Sequence, residues 1–130
     1  MYGKEVNYRV YTQVYVSNPQ CVAQEVMKIY VPENATDDSP IIMPLKTGAH
    51  MHAEMAEPMD VDETNINTVS SGTVGTGGMQ AASYLLSEGW IVASAGARGL
   101  DTHLETGGKE SLAGIAPYCI TDLKAAIRFL

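Results

Sequence analysis

Gly89-Trp90-Ile91-Val92-Ala93-Ser94-Ala95-Gly96 is a short, almost wholly apolar run held between two glycines. A half-buried strand would alternate apolar and polar residues, so this run reads as a strand covered on both faces, the kind found inside parallel sheets. The residues just before it fit that setting. Met79 to Glu88 places Met79, Ala82 and Leu86 at helical spacing, and Gly89 stands where a helix commonly ends in a left-handed residue. A helix delivering the chain directly into a buried strand is an α/β arrangement.

Working outward toward the N-terminus, Val6 to Val16 alternates. Val6, Tyr8, Val10, Val14 and Val16 share one face; Asn7, Arg9, Tyr11, Gln13 and Tyr15 share the other. This predicts a half-buried strand. Ser17-Asn18-Pro19-Gln20 has turn chemistry, and Val22 to Val31 resumes alternation, so an antiparallel pair with a tight link is expected. Pro32 to Pro40 is a polar connection, followed by a short apolar strand over Ile41-Ile42-Met43-Pro44-Leu45. Pro44 lacks a ladder donor and belongs near that strand's end. On the C-terminal side, Gly96 to Gly114 reads as a loop. Beyond it Pro117 suits a first helical turn, and Ile120, Leu123, Ile127 and Leu130 form one apolar stripe expected to face a sheet, with Lys124 and Arg128 opposite.

The 130 residues are 45% hydrophobic and 18% charged, which excludes collagen, coiled coil and outright disorder. Eight Lys and Arg against fifteen Asp and Glu give a net charge of −7, the wrong sign for a chain that would neutralise phosphates. No nucleic-acid partner is expected. Apolar runs fall short of the roughly 20 residues of a membrane span, and residues 1–10 lack the apolar core of a signal peptide, so a cytoplasmic, membrane-free protein is expected. Cys21 and Cys119 lie far apart among apolar residues and read as free buried thiols. Glu33, Asp37, Asp38, Glu54, Glu57, Asp60, Asp62 and Glu63 make residues 33–63 strongly acidic, and residues 53–78 read as an insertion or mobile loop.

Candidate chemistry is sparse. His50-Met51-His52 with Glu54 and Glu57 has metal-ligand residue types but no third ligand at diagnostic spacing, so no metal is expected and loop histidines near a site are the better reading. Gly72, Gly75, Gly77 and Gly78 match no phosphate-loop pattern, and no cofactor is expected. Arg98 just after the buried strand and Asp122 in the first turn of the last helix can form a bidentate, structural ion pair. Ser70, Ser71, Ser83, Ser94 and Ser111 all lie outside a GxSxG elbow, so the chain holds no activated nucleophile. The final helix leads to no further strand, which points to a fold continued elsewhere.

Four stretches together, Val14 to Pro32, Ser39 to Met51, Gly89 to Thr102 and Gly114 to Leu130, resemble the N-terminal part of α/β-hydrolase-fold esterases, most closely bacterial subtype B tannases and related carboxylesterases. The resemblance implies a fold with an antiparallel first hairpin and then parallel strands with helices, lacking the nucleophile strand. Residues 1–130 would be the N-terminal portion of one hydrolase domain. It implies hydrolysis of carboxylic, including phenolic, esters through an acyl-enzyme, with serine, acid and histidine all beyond Leu130. Gly48, Ala49 and His50 would then form part of the oxyanion hole, where preorganised N–H groups stabilise the tetrahedral intermediate; Ala49 stands where relatives often carry a second glycine. The partners would be a small-molecule ester and either the remainder of the domain or a complementary chain. A non-catalytic α/β binding module is the alternative.

Overall fold

A computed structural model describes residues 5–45, 51–55, 82, 84–106, 109–112 and 117–130. A mixed four-stranded sheet, in the order β1-β2-β4-β3, organises them. β4 (Ile91–Ala95) is interior. It pairs antiparallel with β2 (Val26–Pro32), Met27 opposite Ala95 and Tyr30 opposite Val92, and parallel with the two-residue β3 (Ile41–Ile42). β1 (Tyr8–Val14) adds an antiparallel edge, in register from Tyr8 opposite Pro32 to Val14 opposite Val26.

Both faces of β4 are covered, because successive side chains of a strand point to opposite sides. On one side Val92 and Tyr30 pack with Ala82 and Leu86 of α1, a helix described at residues 82 and 84–87. On the other, Ala93, Ala95, Met27 and Tyr15 pack with Ala126 of α2 (Tyr118–Phe129). Met27, Leu86 and Val92 are fully buried, each side chain worth about 1.5–3 kcal/mol. At the end of α1, Gly89 has φ +90°; its N–H donates to the Leu86 carbonyl at 3.2 Å and that of Trp90 to Leu85 at 3.0 Å. That pair of bonds is a Schellman cap, and it turns the chain at once into β4.

Five expectations are corrected. The seven residues of β1 are exposed, not half-buried: the strand lies at the sheet edge, and none of its residues joins either of the two core clusters. The β1–β2 link is not a tight turn at 17–20 but the whole segment 15–25, held by its own side chains. The third strand stops at Ile42, short of Pro44. Residues 96–114 are not simply a loop: β5 (His103–Thr106) and β6 (Lys109–Leu112) form a hairpin with Thr106 opposite Lys109. Gly107-Gly108 between them is a two-residue hairpin signal that the sequence displays openly.

The fifth correction concerns α2. Cys119, Asp122 and Ala126 are buried, whereas Ile120 and Ile127 are 57% and 59% exposed and Phe129 and Leu130 lie outward with them. An apolar stripe reflects area alone and carries no trace of the cost of orphaning a particular buried bond. Asp122 is committed to Arg98, so the helix rotates to bury that pair, and its small residues close against the alanines of β4. The larger side chains are left facing out.

Candidate functional site

The carboxyl ends of β3 and β4 point the same way because the two strands are parallel, and ligand sites of open α/β sheets lie at such ends. β2 begins at this end and β1 finishes there, so residues 15–25 join the loop that follows β4. Residues 51–55 also arrive here. Ala53 and Ala97 exchange backbone bonds, Ala53 N–H to Ala97 O at 2.9 Å and Ala97 N–H to Ala53 O at 2.8 Å.

Arg98 is the hub. It is 7% exposed. Its Nε donates to Asp122 Oδ2 at 2.9 Å and its Nη2 to Asp122 Oδ1 at 2.7 Å, a two-point fork that also leaves its backbone N–H donating to Oδ2 at 3.0 Å. Nη1 donates to Gln20 Oε1 at 2.7 Å, Nε lies 3.4 Å from Glu25 Oε1, and the guanidinium stands 4.7 Å from the ring centre of Tyr118. The planar guanidinium presents donors along two edges, which is why one residue can tie a loop, a strand entry and a helix together. The Asp122 hydrogen bond, helped by the Asp122 and Glu25 charges, raises the Arg98 pKa against the opposing effect of burial.

Glu25 has a second task. Its Oε2 accepts the backbone N–H groups of Gln20 and Cys21, both at 2.6 Å, so the carboxylate shapes residues 20–25 while its other oxygen faces Arg98. Tyr15 donates its hydroxyl to the Gly96 carbonyl at 2.7 Å. Burial, then the nearby charges of Asp122 and Glu25, push the Tyr15 pKa well up and keep the phenol protonated. Thr102 accepts the Gly99 N–H at 2.8 Å and donates to Gln24 Oε1 at 2.6 Å. Gly96 and Gly99 are required by close approach: a Cβ on Gly96 would come within 2.7 Å of the Gln24 carbonyl, and one on Gly99 would overlap the His52 backbone.

Arg98 and Asp122 are thus brought into contact. Gly48, Ala49 and His50 lie outside the described residues, as do Glu57 and the greater part of the 53–78 segment. His52 is paired with Asp101, and Glu54 is exposed. Ser94 is buried within β4. Cys21 is half-buried and Cys119 buried, both free. Among the described residues no group of three His, Cys, Asp or Glu side chains is placed to hold a metal, and no helix is long and apolar enough to cross a membrane. Sequence reasoning missed Tyr15, Gln20, Glu25 and Asp101. Glu25 had one visible signal, an acid four residues after Cys21 at the entry to a strand, whereas its reach to Arg98 is long-range and leaves no periodic trace.

No protein-family model and no curated protein sequence matches the chain. Solved structures do. A Fusobacterium nucleatum tannase aligns with 98% of the chain at 30% identity and TM-score 0.72, and a Lactobacillus plantarum tannase with 98% at 26% and 0.70. A tannin acyl hydrolase in complex with ethyl gallate aligns with 99% at 26% identity and TM-score 0.71. In each case the chain spans only 26% or 27% of the other protein's length. Over nearly all its residues this chain is similar to about a quarter of a bacterial tannase.

Proposed function

We propose that this chain is the N-terminal part of an α/β-hydrolase domain that cleaves carboxylic esters of the phenolic, tannin-like kind through an acyl-enzyme. The observation that carries the reading is the match to tannases along 98% of the chain, at a TM-score of about 0.7. Two features support it. Among the described residues β3 is an edge strand, and α2 turns Ile120 and Ile127 outward, so the parallel side of the sheet and the outer helix face offer surfaces for further layers of a hydrolase domain. The remaining portion would bring the serine, acid and histidine.

In this reading the chain supplies a scaffold and one side of the site. Gly48, Ala49 and His50 contribute an amide that stabilises the oxyanion of the tetrahedral intermediate. The Arg98 cluster holds the neighbouring loops still, so that such donors need not reorganise during the reaction. The serine would attack the ester carbonyl, the histidine would take its proton and return it to the leaving alcohol, and water would then release the acid.

Turnover of ethyl gallate tests the proposal. The isolated 130 residues are expected to release no gallate, and the same chain joined to the downstream portion of a tannase is expected to release it. Burst kinetics from the isolated chain would place the nucleophile within it and overturn the reading, and so would a well-folded joined protein that stays inert.

A further inference from the structure

His52 and Asp101 form a pair that the Arg98 cluster does not use. Asp101 Oδ1 accepts the His52 backbone N–H at 2.7 Å, and Oδ2 meets Nδ1 of the same residue at 2.5 Å. One carboxylate therefore fixes both the backbone and the ring of His52. The backbone N–H, then the ring contact, holds the Asp101 carboxyl below its ordinary range, so it is ionised at neutral pH. An ionised carboxylate at Nδ1 keeps the proton on that nitrogen and leaves the Nε2 lone pair as an acceptor. The side chains are 38% and 29% exposed, so the pair is partly open to solvent.

A purely structural role accounts poorly for this geometry. An exposed ion pair contributes only about 0–1 kcal/mol, and the two loops are already joined by the Ala53–Ala97 bridge and by the close seating of Gly99 against residues 51 and 52. What the pair adds is direction. It orients an imidazole, in one tautomer, at the end of the sheet where β3 and β4 finish.

We propose that His52, oriented by Asp101, is a ligand-binding residue whose Nε2 accepts a hydrogen bond from a phenolic hydroxyl of the ester. This rests on the phenolic-ester reading above. A phenolic O–H has a pKa of about 10, far below that of an aliphatic alcohol, and is the better donor to a neutral imidazole. The carboxylate fixes the direction in which the ring's free nitrogen points, so the bond can form without reorienting the imidazole.

The test is long-range proton–nitrogen NMR of the histidine rings in the 130-residue chain, titrated with ethyl gallate and, separately, with ethyl benzoate, which has no hydroxyl. The Nε2 resonance of His52 is expected to move saturably with ethyl gallate and not with ethyl benzoate, while His103 stays fixed. Asp101→Asn replaces the carboxylate with an amide that can donate to Nδ1 and shift the ring proton to Nε2; its affinity for ethyl gallate is expected to fall at least fivefold. His52→Gln, which lacks the ring, provides a second arm and is expected to lose the same selectivity. Movement elsewhere with His52 silent would overturn the assignment and leave the phenolic-ester reading standing. Equal responses to the two esters, or none at all, would also overturn it; the turnover assay decides the broader reading independently.

Discussion

Arg98 compensates two carboxylates, Glu25 and Asp122, each 2% exposed. Replacing it with alanine strands both, and breaking a buried pair in this way costs about 3–5 kcal/mol; Arg98→Ala is expected to lower the midpoint of urea unfolding sharply, and Arg98→Lys, which lacks the two-point fork, to recover only part of the loss. Tyr15 gives a pH signature. Its folded pKa is raised, so its contribution is complete below the unfolded value of about 10 and is lost as pH rises above it, where the unfolded chain releases a proton that the folded one keeps. Tyr15→Phe loses the bond to the Gly96 carbonyl and costs about 1 kcal/mol near pH 7. Urea titrations at pH 8 and pH 11 are expected to show the difference between the two proteins shrinking at the higher pH.

Among the elements, α2 separates what periodicity can reveal from what it cannot. The helix itself was legible from Pro117 and the spaced apolar residues, and α1 with its end at Gly89 was equally plain. The rotation of α2 was not, because it follows from Asp122 meeting Arg98 rather than from total apolar area. Within the candidate site, the Arg98–Asp122 pair was legible as an Arg just after a buried strand and an Asp near the start of the last helix, although Asp122 lies one turn further in than the sequence implied, whereas Glu25 and Tyr15 reach their partners only through the packed sheet. The corrected rotation makes an opposed pair of outcomes testable. Ile127→Lys is expected to leave thermal stability of the 130-residue chain within about 0.5 kcal/mol, whereas Ala126→Leu, which overpacks the contact with β4, is expected to cost about 1–3 kcal/mol. Thermal unfolding of both variants checks this; the reverse order would restore the stripe to the inside.

For the whole molecule, the buried run at β4, the antiparallel β1–β2 pair and the α/β class followed from local patterning. The exposure of β1 did not, since alternation marks a strand without saying what will cover it. The Arg98 cluster couples parts of the chain that are remote in sequence, and this bears on how the protein opens transiently. Ordinarily, connecting segments exchange their amide protons well before the sheet does. Here the N–H groups of Cys21, Arg98 and Gly99 are held by the side chains of Glu25, Asp122 and Thr102, of which Glu25 faces Arg98, Asp122 lies in α2 and Thr102 is bonded to Gln24. In deuterium exchange these loop amides are expected to retain protons nearly as long as those of Val92 and Ala93, so that one end of the molecule behaves as a single slow-breathing unit.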